Sequence, residues 1–402
     1  MHLRGKIHYV GVNDRRLERF ERMWSLKKGV AYNAYLIDDE QVALIDSVDI
    51  CYCDDLIDNI KRIIGDRAVD YLIVNHMEPD HSGSLSILKY HYPNMRLVGN
   101  KKTIEMIEGF YEVDCSDAVV VDDKSELSLG HHKLNFCLIP MMHWPETMIT
   151  FDVAEQVAFT GDVFGAFGAV NGGPLDTMID IEDTLEEVRR YYACILGKYG
   201  TTAVRSFAKI EKLGHTFTMF CSTHGPVWTG DNCKMIWDFY ANLATARWEK
   251  GLVVVFGSMY GNSLKVAEQI IRGASHAGVK KIRVHDATES DPSMVLADVY
   301  RFNGLAIGAP TYNLGLYPPI DDFMRKLVGR EVKNHPTAFF GGFTWAGKAA
   351  SLLQEYTEQI GLEVVGEHIE FKQGARQDIL DKAYELGRCL GEAILADERT
   401  ID

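Results

Sequence analysis

The sequence holds eight cysteines but not one Cys-x-x-Cys pair. That absence excludes a zinc ribbon, a ferredoxin-type cluster and an appended rubredoxin. Cys51-Tyr52-Cys53 is the closest approach, at a spacing ill suited to a shared metal. No apolar run reaches the roughly 20 residues of a bilayer span. Met1-His2-Leu3-Arg4 does not lead into a signal-peptide core. A reducing cytoplasm and no membrane partner are therefore expected. Positive charge is also short: 42 Lys and Arg stand against 57 Asp and Glu, leaving a net charge of -15. Such a chain is repelled by a nucleic-acid backbone, so no nucleic-acid partner is expected. Internal repeats and low-complexity linkers are missing as well.

What is present is an ordinary soluble composition, 47% apolar and 25% charged, in 402 residues. That length suggests two or three domains. The chain changes character near Lys250-Gly251. Before it, the runs Tyr32 to Ile37 and Val42 to Asp46 flank Asp38-Asp39-Glu40-Gln41 and read as a hairpin. Further strands are expected at Tyr71 to Asn75, Arg96 to Gly99, Lys133 to Ile139, Met148 to Asp152, Val157 to Thr160 and Thr218 to Cys221. Helices are expected at Asp54 to Ile64, Thr103 to Gly109, Thr184 to Lys198 and Lys234 to Trp248. This mixture predicts sheets layered under helices. After Gly251, strands and helices alternate strictly from Leu252 to Leu395, the last strand running from Glu363 to Ile369. Five βα units of this length predict a doubly wound, five-stranded parallel sheet with ligands beyond the carboxyl ends of its strands. The expected domains are residues 1–250 and 251–402.

The first domain carries a concentrated set of metal-ligand side chains. His76-Met77-Glu78-Pro79-Asp80-His81 ends the apolar run Tyr71 to Val74. In an extended chain, His76, Glu78 and Asp80 project to one side and His81 to the other. Pro79 forbids a central strand, so the segment reads as a loop that presents groups. Two imidazoles with two carboxylates suit iron, manganese or zinc. A dinuclear site needs more ligands, and three sit on Gly- or Pro-flanked turns just past strands. These are His143 in Met142-His143-Trp144-Pro145, Asp162 in Thr160-Gly161-Asp162-Val163, and His224 in Ser222-Thr223-His224-Gly225-Pro226.

In the second domain, Gly257-Ser258-Met259-Tyr260-Gly261-Asn262-Ser263 lies between the first strand and first helix. Helix N-terminal amides with the Ser258, Asn262 and Ser263 side chains make a phosphate cradle. The loop has neither the Lys-Ser/Thr pair of a nucleoside-triphosphate loop nor a Gly-x-Gly-x-x-Gly fingerprint. A phosphate that is never transferred needs no lysine, which fits flavin mononucleotide. Pro310-Thr311-Tyr312-Asn313-Leu314-Gly315 and Gly342-Phe343-Thr344-Trp345-Ala346-Gly347 follow later strands. Their backbone amides can bond the polar edge of a flat ring, and Tyr312 or Trp345 can stack on its face.

The succession His-x-Glu-x-Asp-His, then His, Asp and His at strand ends, resembles the metallo-β-lactamase-like domain. Zinc hydrolases of that superfamily carry a His where this chain carries Glu78. The Glu variant, joined to a flavodoxin-like second domain, resembles the flavodiiron proteins over nearly the whole chain. The resemblance implies an αββα sandwich followed by a flavodoxin-like fold. It implies that His76, Glu78 and His143 hold one iron, that Asp80, His81 and His224 hold the other, and that Asp162 bridges them. His81 is a ligand in only part of the family. The family often has a Tyr-Gly-Trp-type segment where this chain has Phe343-Thr344-Trp345, which leaves the ring contacts of the FMN open.

The function implied is reduction of dioxygen to water, of nitric oxide to nitrous oxide, or of both, for detoxification in an anaerobe. A carboxylate at position 78 adds a hard anionic donor that favours ferric iron over a purely Lewis-acid zinc site. A zinc-dependent hydrolase with a flavodoxin-like module is the alternative. With no rubredoxin encoded, the electron donor is expected to be a separate molecule: a rubredoxin, a deazaflavin coenzyme or a flavin reductase. A head-to-tail homodimer, and a dimer of such dimers beyond it, would bring one subunit's flavin to the other's irons.

Overall fold

Residues spaced two apart along the strands of the first unit face one interior. Tyr35 and Ile37, Ala43 and Ile45, and Tyr71 and Ile73 come from one sheet. Leu134 and Phe136, Val157 and Phe159, and Met219 and Cys221 come from a second, and all of them share one buried core. The computed structural model describes residues 1–401. Its first compact unit joins Met1–Tyr192 to Thr201–Ala241, and its second joins Ala193–Gly200 to the chain from Asn242 onward.

The first sheet runs His2–Arg4, Ile7–Tyr9, Tyr35–Asp38, Val42–Ile45, Tyr71–Ile73, Arg96–Gly99 and Val119–Val120 in spatial order. The expected hairpin is present, with Tyr35 opposite Ile45 and Asp38 opposite Val42. The second sheet runs Glu126–Ser128, Lys133–Leu138, Met148–Asp152, Val157–Gly161, Met219–Ser222 and Trp228–Thr229. Helices close both outer faces. Cys53–Ile64 buries Leu56, Ile57, Ile60 and Ile64, and Gly200–Glu211 buries Ala203, Phe207 and Ile210. Phe207 meets Trp237 with ring centroids 4.8 Å apart, extending that apolar layer. The result is the expected αββα sandwich.

One pairing matters for the site. Val157–Gly161 and Met219–Ser222 run parallel with Gly161 beside Ser222, so Asp162 and His224 leave the sheet at the same edge. The Thr223 N–H donates to Gly161 O at 2.9 Å and fixes that exit.

The second unit is a parallel sheet in the order Ile282–Asp286, Glu249–Phe256, Phe302–Tyr312, Pro336–Phe343, then the fifth position. Two short strands, Glu363–Val364 and Ile369–Lys372, occupy that fifth position in turn. A single strand from Glu363 to Ile369 was the expectation. The chain interrupts it where Gly366 takes a left-handed φ of 68°. On one face, Val266, Ile270 and Ala274 of helix Asn262–Ala277 and Leu386, Leu390 and Ile394 of helix Gln377–Ala396 complete the core.

Three further expectations are corrected. The expected helix Thr184 to Lys198 starts earlier and ends earlier, at Ile181–Tyr191. A π-turn at Tyr192–Leu196 and a 3-10 turn at Gly197–Tyr199 follow it before Gly200–Glu211 begins. Short N-terminal strands and the helix Leu85–His91 are present where no element was expected. Most consequential, the metal-ligand hexapeptide is not extended throughout. Pro79–Ser82 forms one helical turn, with Glu78 at its N-cap and Pro79 in the first position, where a missing N–H costs nothing.

Candidate metal centre and flavin site

That turn rotates Asp80 and His81 together, so His81 faces the same interior as His76 and Glu78 rather than the opposite one. Its Nε2 lies 3.0 Å from His224 Nε2 and 3.1 Å from Asp162 Oδ1. His224 Nε2 lies 3.3 Å from Asp80 Oδ2. On the other side, His143 Nε2 stands 2.9 Å from Asp162 Oδ2 and 3.2 Å from Glu78 Oε2. His76 Nε2 is 3.3 Å from Glu78 Oε2 and 3.5 Å from Asp162 Oδ2. All seven side chains named from the sequence therefore meet. They form two groups, His76, Glu78, His143 and Asp162, and Asp80, His81 and His224, with the ligating atoms of each within 4.8 Å of one another.

These donors fit a pair of metal ions. Both oxygens of Asp80 are buried and accept no hydrogen bond, a costly state for a carboxylate unless a cation takes the place of the missing donors. The imidazoles of His81 and His224 aim Nε2 at one point, and His224 Nδ1 donates to Ala31 O at 2.8 Å, leaving its Nε2 as a lone pair. Asp162 turns Oδ2 to the first group and Oδ1 to the second, so one carboxylate spans both.

In the second unit, a groove is lined by Ser258, Met259, Tyr260, Asn262 and Ser263 at one end. Pro310, Thr311, Gly342, Phe343 and Thr344 form its walls. Ser258 Oγ accepts from the Gly261 N–H at 3.1 Å and holds the loop closed on the helix start. Phe371 and Gln373 complete the lining and were not singled out from the sequence. They arrive from the strand after the interrupted segment, whose register could not be read from the pattern alone. Gly261, Tyr312, Asn313, Leu314, Trp345, Ala346 and Gly347 lie outside the lining. Asn313 and Leu314 form a left-handed turn, and Tyr260 and Trp345 are 89% and 82% exposed, free to lie against a flat ring.

A family model described as ODP family beta lactamase matches residues 30–225, and a flavodoxin model matches residues 254–387. The fold superposes on the flavodiiron protein from Giardia intestinalis with a TM-score of 0.93 at 26% identity, over 97% of this chain and 95% of that one. The chain belongs to the flavodiiron proteins. A nitric oxide reductase from Moorella thermoacetica is 28% identical over 96% of this chain and 97% of its own length. An anaerobic nitric oxide reductase flavorubredoxin from Escherichia coli is 28% identical over 96% of this chain and 81% of its own length. The rubredoxin oxygen:oxidoreductase from Desulfovibrio gigas shares the fold, with a TM-score of 0.94 at 23% identity, over 97% of each chain. Membership implies FMN and a diiron centre, which the groove and the seven ligand side chains of this flavodiiron protein fit.

Electrostatics agree with a site built to hold positive charge. Burial by itself would lower the His143 imidazole, yet Asp162 and Glu78 hold it up at about 9. His81 is likewise held up at about 9 by Asp80 and Asp162 against the pull of burial. Burial would raise Glu78, but His143 and His76 hold it far below the usual carboxylate range. In a metal-free chain, protons occupy the place of the cations.

The sequence reading missed the groups behind the ligands. Glu146, three residues after His143, accepts from His76 Nδ1 at 2.9 Å and from the Met77 N–H at 2.8 Å. Thr223 Oγ1 donates to Asp162 Oδ1 at 2.5 Å. A carboxylate three residues beyond a candidate ligand was the one visible signal. Nothing in its spacing pointed back to His76.

Proposed function

We propose that this flavodiiron protein reduces dioxygen to water, nitric oxide to nitrous oxide, or both, with electrons relayed through FMN. Residues 1–250 carry the metal centre and residues 251–402 the flavin. His76, Glu78 and His143 hold one iron, Asp80, His81 and His224 the other, and Asp162 bridges them. The observation that carries the reading is the carboxylate at position 78 among the first group, in a chain that also builds a flavin groove. A zinc hydrolase needs neither a redox metal nor a flavin, and that reading is not favoured.

When bound, a ferrous pair supplies two electrons to a diatomic ligand, and reduced FMN supplies two more. Dioxygen needs four to become two waters, and two nitric oxide molecules need two to become nitrous oxide and water. The protein's own part is placement. Asp162 ties the two positions to one carboxylate, and burial of His76, His81, Asp162 and His224 keeps bulk water from competing for the ligands. Ser258 and the amides that open helix Asn262–Ala277 hold the flavin phosphate.

The electron donor is a separate molecule, a rubredoxin, a deazaflavin coenzyme or a flavin reductase, encountered in the cytoplasm. No helix among the described residues is long and apolar enough to cross a membrane. The working unit is a head-to-tail homodimer, in which each flavin serves the partner's irons, with a dimer of dimers as the next level of assembly. Oxygen and nitric oxide electrodes, run on anaerobically reduced, iron-loaded protein, test the activity. Consumption of at least one gas is expected, limited by the four stored electrons to about one dioxygen or about four nitric oxide molecules per chain, and consumption of neither defeats the reading.

A further inference from the structure

The two metal positions have chemically matched ligands. Each is offered two imidazoles, one carboxylate of its own and one oxygen of Asp162. What stands behind those ligands is not matched. His76 Nδ1 donates to Glu146, a carboxylate 1% exposed, while His224 Nδ1 donates only to the backbone carbonyl of Ala31. His81 Nδ1 is buried with no partner at all. A carboxylate behind an imidazole draws its proton outward and makes the other ring nitrogen a stronger donor, whereas a peptide carbonyl does so weakly.

A second contact tilts the balance the same way. Thr223 Oγ1 donates to Asp162 Oδ1, the oxygen that faces His81 and His224. That bond withdraws charge from the bridging carboxylate on the side of the second position only. Oδ2, facing His143 and His76, keeps its full donor strength. The Thr223 and Glu146 contacts lie on different loops and involve different ligands, so they are independent.

We infer that Glu146 and Thr223 are positioning residues that make the two metal positions unequal, so that the position at His76, Glu78 and His143 binds metal more tightly and is the later of the two to be reduced. The inference rests on the proposed diiron reading for its redox half. Its binding half can be read with Co(II), a spectroscopic probe that needs no turnover.

Crystals of the full chain given one equivalent of Co(II) should show anomalous scattering at the His76–Glu78–His143 position. Titration in solution should resolve two binding steps. Glu146→Gln keeps a hydrogen-bond acceptor for His76 and Met77 but removes the charge. It should weaken the tighter step by about 10- to 100-fold and leave the weaker step in place. Thr223→Val, which keeps shape and removes the donor, should strengthen the weaker step and leave the tighter one. In the iron-loaded protein, the two reduction steps should move closer together in both variants. First occupation of the Asp80–His81–His224 position overturns the inference, as does a pair of binding constants that neither variant changes. Co(II) loading in the expected order in a protein that takes up no iron would uphold the inequality and defeat the diiron reading alone.

Discussion

At the scale of single residues, the metal centre is a contest between protons and cations for the same lone pairs. His81 and His143 titrate at about 9 in the metal-free chain, so both carry a proton at pH 7. Metal must displace those protons. Metal addition at pH 7 in weak buffer should therefore release about three protons per chain as a measurable acid pulse, two from these histidines and one from His76, which Asp162, Glu146 and Glu78 likewise hold well above its ordinary value against the pull of burial. Apparent affinity should rise with pH and level off above about 9. The stability of the metal-free protein should run the other way. Both histidines have folded values above the unfolded value of roughly 6.5. Their contribution is complete below that value and is lost as pH rises through about 9. Thermal melts of the chelated protein between pH 6 and pH 10 should show falling stability, and an unchanged melting temperature would contradict the assignment. The seven side chains that meet at the proposed centre were legible as candidates in the sequence because ligand types clustered past strand ends. Glu146 and Thr223 were not, because a supporting residue is defined by what it touches and leaves no mark of type or spacing.

At the scale of elements, periodicity was a sound guide wherever one face is buried. The strands Arg96–Gly99 and Met148–Asp152 match their expected limits, since each is a short, mostly buried apolar run that is bounded in the sequence. Periodicity was silent at Pro79–Ser82, where one helical turn is too short to show a period. It was silent again at Tyr192–Leu196, where the helix winds into a π-turn. It also did not reveal how the helices Asn262–Ala277 and Gln377–Ala396 meet. Their backbones touch at glycines: a Cβ on Gly387 would stand 2.1 Å from Ile270 O, and one on Gly273 would stand 2.0 Å from Tyr384 O. Neither glycine has a positive φ, so the constraint is space and not backbone conformation. Gly387→Ala should push the helices apart and cost about 1–3 kcal/mol, read as a lower urea midpoint. A surface substitution such as Glu385→Ala on the same helix serves as the control. Equal midpoints for the two variants would show that the helix contact has room to spare.

At the scale of the whole molecule, a chain with a metal site and a flavin site poses the question of which flavin serves which irons. Two crippled variants answer it. Asp162→Ala removes the carboxylate that both metal positions share and leaves the flavin groove untouched. Asn262→Asp places a negative charge in the phosphate cradle and leaves the metal ligands untouched. Each homodimer alone should lack gas reduction. Subunits dissociated in mild denaturant and reassociated as an equal mixture should form mixed dimers as about half of all dimers. In a head-to-tail arrangement, each mixed dimer pairs the intact flavin of one subunit with the intact irons of the other, and its second pair is doubly broken. The mixture should then regain about a quarter of wild-type activity, one working pair in half of the dimers. If each flavin served the irons of its own chain, no combination would hold a working pair and the mixture would stay inactive. Metal and flavin content measured on the same samples would separate that outcome from a failure to load the cofactors.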